Sequence, residues 1–461
     1  MTRSLSLYIH IPFCQRKCHY CDFNTYAGMN HYIAPYLAAL HKEIANWAQA
    51  LDGWRVETIF FGGGTPSLLS GEQVRALLDL CRDAYTMAPA AEVTLEANPG
   101  TVDLARLEAF RAAGVNRLSF GAQSFDPAEL QWLGRIHARD EIGQAVRGAR
   151  QAGFGRVNLD LIYGLPEQPL ERWQRSVEAA LALDPDHLSL YALTVEEGTP
   201  LAEWVAAGRV REPDPDNAAD HYLASAEMLE RAGYLQYEIS NWAKPGQECR
   251  HNLTYWHNDP YLGLGAGAHS CVGGCRFSDA LLPQEYIRRM TELSPSLSKT
   301  KLDAQPVLPF SLAQGRRSAQ DERTKARNLT DIVPSPLSPE ATRSPEAPRL
   351  RRAQGERGEG QGEGEQRLSE LIPLLSPTVA VDVVDPETDL SDTLILGLRL
   401  SEGVAFERVR ARHGVDVPSR YRGAIGEMQA AGLLAVDDNR MWLTPDGRLL
   451  ANEVFLRFLP E

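Results

Sequence analysis

The sequence predicts an α/β protein, a partial (β/α)6 barrel of the TIM type followed by a smaller winged-helix-like α+β domain. Three observations predict it. From Leu5 to Leu193 a short apolar run, a Gly-rich or polar turn and an amphipathic stretch recur about six times. From 294 to 378 the composition turns to Pro, Ser, Arg, Glu and Gly, which separates a large unit, 1–293, from a small one, 379–461. In the small unit, helical periodicity gives way to two short apolar runs.

The apolar runs that read as strands are Leu5–Ile11, Val56–Phe61, Val93–Ala97, Arg117–Phe120, Val157–Tyr163 and His187–Leu193. Helical spacing marks Gly71–Tyr85, Val102–Ala113, Glu141–Ala152 and Gln168–Leu183 between them. Such alternation implies a parallel sheet with helices outside and functional residues at strand C-termini. The stretch 294–378, with its Gly355–Glu365 run of Gly, Glu, Arg and Gln, has too little apolar surface to offset its ordering entropy and is expected to be a largely disordered insertion. Val307–Leu312 and Leu368–Leu375 are its candidates for short contacts. Beyond it, helices are expected at Asp389–Leu400, Phe406–His413 and Arg420–Ala431, then strands at Leu433–Val436 and Met441–Leu443 and a last helix from Pro445.

With 461 residues, 43% of them hydrophobic, the chain can bury a substantial core. A formal net charge of -14 disfavours nucleic acid and anionic lipid as partners. Arg408, Arg410, Arg412, Arg420 and Arg422 invite a DNA-binding reading of the small domain, and the acidic balance argues against it. No integral membrane segment is expected, and Met1-Thr2-Arg3-Ser4 runs into the first strand without a secretory h-region. The expected location is the cytoplasm, where thiols stay reduced.

Three of the seven cysteines crowd into one loop after the first strand, Cys14-x3-Cys18-x2-Cys21. Three thiolates from a tight loop can hold three irons of a cubane cluster and leave the fourth open to a ligand. Zinc is the rival metal, with His19 as a candidate fourth ligand; buried or disulfide-bonded cysteines are the plainer alternative. After the second strand, Gly62-Gly63-Gly64-Thr65 lets backbone approach a ligand, or is an ordinary βα turn; it lacks the Lys-Ser/Thr ending of a phosphate-binding loop. Glu96, Gln123 and Asp160 are isolated polar residues at or near strand ends, either site residues or satisfied structural ones. Arg135 lies between helices, a further site candidate or a solvated charge.

The cysteine loop, followed by an aromatic, resembles the cluster loop of the radical S-adenosylmethionine (SAM) superfamily. The resemblance implies the superfamily's partial barrel and a 4Fe-4S cluster on Cys14, Cys18 and Cys21. It also implies SAM on the open iron, cleaved by one electron to a 5′-deoxyadenosyl radical. Gly63, Gly64 and Thr65 match the glycine-rich segment that binds the methionyl amino group. Within the superfamily the chain is similar to the oxygen-independent coproporphyrinogen III oxidases, where Tyr8, Glu96, Gln123, Arg135 and Asp160 match SAM contacts and Tyr20 the aromatic between the cysteines.

The oxidases carry a fourth cysteine where this chain has Phe23. Cys-x2-Cys-Asp-Phe belongs instead to their sister group, the HemW heme chaperones. The sister group's His-Asn-x-x-Tyr-Trp signature stands complete at His251, Asn252, Tyr255 and Trp256. A histidine can ligate heme iron and aromatics can pack on a porphyrin, so these four form the candidate heme site. The alternative is that His251 and Asn252 bond within a loop and the aromatics are core; Cys249, His257 and His269 are further candidate ligands. Cys271 and Cys275 read as inert, and Cys81 as core. The resemblance implies a heme chaperone that lacks oxidase activity, with heme, heme-acceptor proteins and an electron donor as partners. The alternative is radical decarboxylation of the propionates of coproporphyrinogen III.

Overall fold

The computed structural model describes residues 3–293 and 362–460. The strands in chain order are β1 (Arg3–Ile11), β2 (Phe13–Cys14), β3 (Tyr26–Ala27), β4 (Trp54–Gly63), β5 (Thr86–Ala97), β6 (Arg117–Gln123), β7 (Val157–Tyr163) and β8 (His187–Ala192). Then come β9 (Leu235–Glu238), β10 (Asn241–Ala243), β11 (Tyr261–Leu264), β12 (His269–Val272), β13 (Cys275–Asp279), β14 (Thr378–Val383), β15 (Val404–Ala405), β16 (Leu434–Val436) and β17 (Arg440–Leu443).

Neighbours β1-β4-β5-β6-β7-β8 pair in parallel, the six units expected. Each strand alternates. Leu5, Leu7, Ile9 and Ile11 of β1, or Leu118, Phe120 and Ala122 of β6, join the main core under the outer helices. Their neighbours Ser6, Tyr8, His10, Arg117 and Ser119 are equally buried but polar, and they fill the inner face.

The sheet continues past the six units. β11 adds parallel to β1, and β12, β13 and β14 follow antiparallel; at the other end β10 and β9 add antiparallel to β8. β14 closes the large sheet after the long excursion that begins at 294. Much of the expected disorder, with Val307–Leu312, lies outside the described residues. The last part of that stretch is ordered: Gly362–Leu375 is a helix whose Ile372 and Leu375 are buried in the main core, with Leu368 and Leu371 packed against it. An apolar i, i+3, i+4, i+7 series gives this helix a buried stripe that the surrounding composition conceals.

The small domain builds its own core from Leu390, Leu394, Leu398, Val409, Ile425 and Met441, among others. Helices Pro386–Leu398, Phe406–His413 and Arg422–Ala430 pack with a three-stranded sheet ordered β15-β17-β16, in which β15 follows the first helix and the β16–β17 hairpin follows the last, so the winged-helix-like reading holds. Arg410 pairs with Asp416, Arg420 with Glu387, Arg408 with Asp259 and Arg412 with Asp389. These arginines are matched by carboxylates rather than gathered into a positive face. Among the described residues no helix is long and apolar enough to cross a membrane.

Candidate functional site at the barrel mouth

The mouth is the C-terminal end of the parallel strands. β1 delivers the chain into the cysteine loop, pinned by Tyr26 N–H donating to Pro12 O at 2.7 Å and His19 N–H to Leu133 O at 3.2 Å. Cys14 is buried, and Cys18 and Cys21 are half-buried; all three are free thiols. Burial raises the Cys14 pKa; burial and the neighbouring Cys18 push Cys21 up to about 12. Thr65 Oγ1 donates to Cys14 Sγ at 3.5 Å, and Arg135 Nη1 approaches Cys18 Sγ at 3.5 Å. Thiols raised by burial and met by donors suit a site where a metal displaces the protons. Among the described residues no three His, Cys, Asp or Glu side chains surround a single-ion centre. A cubane takes one thiolate per iron, so its ligands stand apart at cluster corners.

The glycine turn lies directly against this loop. Gly64 N–H donates to Ile11 O and Thr65 N–H to Phe13 O, both at 2.9 Å, and a Cβ on Gly64 would meet Phe13 O at 2.7 Å. Gly63 has φ of 105°, which favours glycine, and its N–H donates to Glu96 Oε2 at 3.2 Å.

Glu96 is half-buried, and desolvation together with Asp160 holds its carboxyl well above the usual range. Its other oxygen, Oε1, is buried without a partner, as is Arg135 Nε. Arg135 also donates to Gly121 O at 2.7 Å; burial lowers its pKa while Tyr20 and Cys18 raise it, the net being upward. An orphaned carboxylate oxygen and an orphaned guanidinium N–H at one end of a barrel suit a ligand carrying both an ammonium and a carboxylate. Gln123 ends β6 with φ of 65°, where the register with β7 breaks after Gly121. A non-glycine residue in that conformation is a strain of the kind stored at functional sites. Tyr20 packs beside Leu133, Ile162 and Leu165, its pKa raised by burial.

Asp160 and Tyr8 are placed differently. Asp160 accepts from Ser119 at 3.0 Å and from Asn158 at 2.8 Å, so both its oxygens are occupied. Tyr8 is buried on β1, its hydroxyl 3.1 Å from His10 Nδ1. His10, Ser119 and Asn158 were not singled out from the sequence. His10 packs against Gly63 and its Nε2 lies 3.0 Å from Asn24 O, so it props the turn and the cysteine loop together. Their signal was the period of two: each shares the inner face with a residue already singled out.

The motif beginning at His251 lies at the opposite end. Helix Arg250–Trp256 plugs the barrel floor, its N-terminus held by Glu92, which accepts from Arg250 N–H and His251 N–H. His251 is 1% exposed, with Thr58 Oγ1 2.7 Å from Nδ1 and Tyr255 Oη 2.9 Å from Nε2. Its ring stacks on Phe60 at 5.0 Å, and burial lowers its pKa to about 3. Both nitrogens are engaged, leaving none for iron in this conformation. Asn252 is buried with Oδ1 unpartnered. Trp256 turns the other way, toward the small domain, under the Arg399 guanidinium at 4.5 Å from its ring. The four motif residues are therefore not gathered on one face. A cavity of about 180 Å³ opens beside Trp256, lined also by His257, Leu400, Glu402 and Arg408. His257 is the more accessible histidine, 25% exposed at its side chain. His269 is half-buried, and Cys249 is fully enclosed.

Residues 8–180 match the radical SAM superfamily and residues 384–450 the HemN C-terminal domain. The heme chaperone HemW of Bacillus subtilis is 32% identical over 457 residues, covering 99% of this chain and 99% of that protein. This chain belongs to the HemW family. The HemW of Escherichia coli is 45% identical over 273 residues, 58% of this chain and 70% of that protein. Among solved structures, the coproporphyrinogen III oxidase HemN of Escherichia coli, a radical SAM enzyme, aligns with a TM-score of 0.71. That alignment covers 99% of this chain and 90% of HemN at 21% identity, a likeness of fold. The expected superfamily, its HemW branch, the partial barrel and the distinct small domain are thus all found. The superfamily match spans β1 to the helix Leu170–Leu181, the part of this HemW-family chain that forms the mouth.

Proposed function

We propose that this chain binds heme and passes it to acceptor proteins, that it carries a 4Fe-4S cluster on Cys14, Cys18 and Cys21, and that it holds SAM against Gly63, Gly64, Thr65, Glu96, Gln123 and Arg135. It acts in the cytoplasm with an electron donor for the cluster, and it does not decarboxylate coproporphyrinogen III. The observation that carries this reading is end-to-end kinship with a protein named heme chaperone HemW. Phe23, in place of the oxidases' fourth cysteine, agrees with it.

When bound together, cluster and SAM supply one-electron reduction of a sulfonium. The chain's own residues do the rest. The Gly64 cradle admits backbone to the ligand, Glu96 Oε1 accepts from an ammonium, and Arg135 neutralises a carboxylate while facing the Cys18 sulfur. Asp160 and Tyr8 support this wall from behind through Ser119, Asn158 and His10.

For heme, His251 would have to give up two hydrogen bonds before its imidazole reached iron. His257 beside Trp256 is the better placed contact: burial lowers its pKa, so it stays neutral, and a neutral imidazole can ligate. At about 180 Å³ the cavity is smaller than pockets that enclose drug-sized ligands, so heme would lie against its rim. The test is a hemin titration followed by mixing with an apo-hemoprotein. We expect a saturable Soret change and recovery of the acceptor's spectrum, with His257→Ala weakening hemin binding. Absence of saturable binding in the cluster-loaded wild type would overturn the reading.

A further inference from the structure

Two carboxylates lie buried against each other between helix Ile33–Ala50 and the end of β13. Glu43, on helix Ile33–Ala50, is 0% exposed, and Asp279, ending β13, is 1% exposed. Glu43 Oε2 accepts from Gly265 N–H at 2.9 Å and from Tyr286 Oη at 2.7 Å. Asp279 Oδ1 accepts from Ser376 Oγ at 2.8 Å and from Thr378 Oγ1 at 3.4 Å. The remaining oxygens, Glu43 Oε1 and Asp279 Oδ2, have no donor. The other titratable groups facing the pair are hydroxyls: Tyr36 and Tyr286 for both carboxylates, and Tyr85 for Glu43. Among the described residues no cation pairs with them; the adjacent Lys42 donates instead to Met290 O and Leu293 O.

We propose that Glu43 and Asp279 share a single proton, and that the resulting carboxyl–carboxylate bond fastens the two legs flanking 294–361 to the barrel. The same helix grips both legs. Lys42 caps the outgoing leg at Leu293, and Asn46 Nδ2 donates to Leu375 O at 3.0 Å on the returning one. Between them Glu43, through Asp279, reaches Ser376 and Thr378. Two ionised carboxylates cannot share a dry site, whereas one proton between them satisfies both orphan oxygens. On the near side, Gly265 N–H and Tyr36, which donates to His10 O at 2.8 Å, connect the pair to the strand that carries the cysteine loop.

The direction of pH dependence follows. Unfolded, both groups are ionised above the ordinary carboxyl range; folded, the pair retains one proton. Stability from this pair is full at acid pH and falls as the pH rises toward the pair's own raised pKa. Glu43→Gln replaces the shared proton with an amide N–H and removes the dependence. Thermal and urea unfolding of the full chain, wild type against E43Q, reads it. We expect the folded-to-unfolded ratio of wild type to fall relative to E43Q by about tenfold per pH unit above the ordinary carboxyl range. Parallel pH profiles overturn the proposal. If E43Q fails to fold, infrared difference spectra of wild type and Asp279→Asn still decide. A protonated-carboxyl C=O band at neutral pH that disappears in D279N supports the shared proton, and its absence from wild type refutes it. A wild-type stability that instead rises with added sodium or magnesium ions, and not in E43Q, would assign a cation in place of the proton and also overturns it.

Discussion

The two ends of the barrel are built from the same inward-facing polar alternation and finish it differently. At the mouth, Glu96 Oε1 and Arg135 Nε are buried without partners, and Gln123 is held at a left-handed φ. At the floor, His251, Thr58, Ser6 and Thr254 pass hydrogen bonds to one another at 2.7–2.8 Å, and Glu92 closes the helix start. A buried polar group left open costs about 1–3 kcal/mol, so it persists where a ligand completes it. A closed network has a structural use already. The open groups at the mouth would be completed by a ligand, whereas the floor is held by its own bonds, with Asn252 Oδ1 the exception.

The largest effect that would break this contrast is at the cluster loop. Cys18→Ser is expected to abolish most of the sulfur-to-iron charge-transfer absorbance of reconstituted protein. Full retention would remove the cluster from these cysteines. Glu96→Ala is expected to weaken SAM binding by about 10- to 100-fold in equilibrium dialysis while leaving stability equal or higher, because an unsatisfied buried carboxyl is lost. A large loss of stability with unchanged affinity would make Glu96 structural after all.

The floor predicts the converse. His251→Ala should cost about 3 kcal/mol in urea unfolding, from the cavity and the abandoned Thr58 and Tyr255 hydroxyls, and leave the hemin Soret band unchanged. A stable variant with a shifted band would return His251 to the heme. Acid should reach the floor too. The folded pKa of His251 is depressed to about 3, so its contribution is present above the ordinary 6.5 and is lost as pH falls toward 3. That is about 1.4 kcal/mol per pH unit, to be read as a steeper acid limb of stability in wild type than in His251→Ala. The smallest effect expected is none: with Arg408, Arg410, Arg412 and Arg420 paired, a low-salt gel shift with duplex DNA should show no complex.

The six barrel strands were legible because each outward face is an unbroken apolar comb, as in Leu5-Leu7-Ile9-Ile11, and the turns between are Gly-rich or polar. Glu96 and Gln123 were legible as polar breaks near the ends of β5 and β6. What lay beyond reading was pairing over distance. Nothing local in Thr378–Val383 says that it returns across the stretch from 294 to close β13, nor does Glu43 announce Asp279 from 236 positions away. The His251 motif stayed ambiguous in the sequence for a related reason. Histidine, tyrosine and tryptophan at helical spacing suit a ligand site and a packed plug equally, and the partners that engage His251 here, Thr58 and Phe60, lie far away in the chain.

The central claim is that a mouth fitted for cluster and SAM serves heme handling and not propionate decarboxylation. It is tested most directly by mass spectrometry of porphyrins after anaerobic incubation of cluster-loaded protein. The mixture contains coproporphyrinogen III, SAM, reductant and an electron acceptor, with an active oxidase as positive control. The expected result is unchanged coproporphyrinogen beside full conversion in the control. Decarboxylated product from this chain would contradict the account and make it an oxidase despite Phe23.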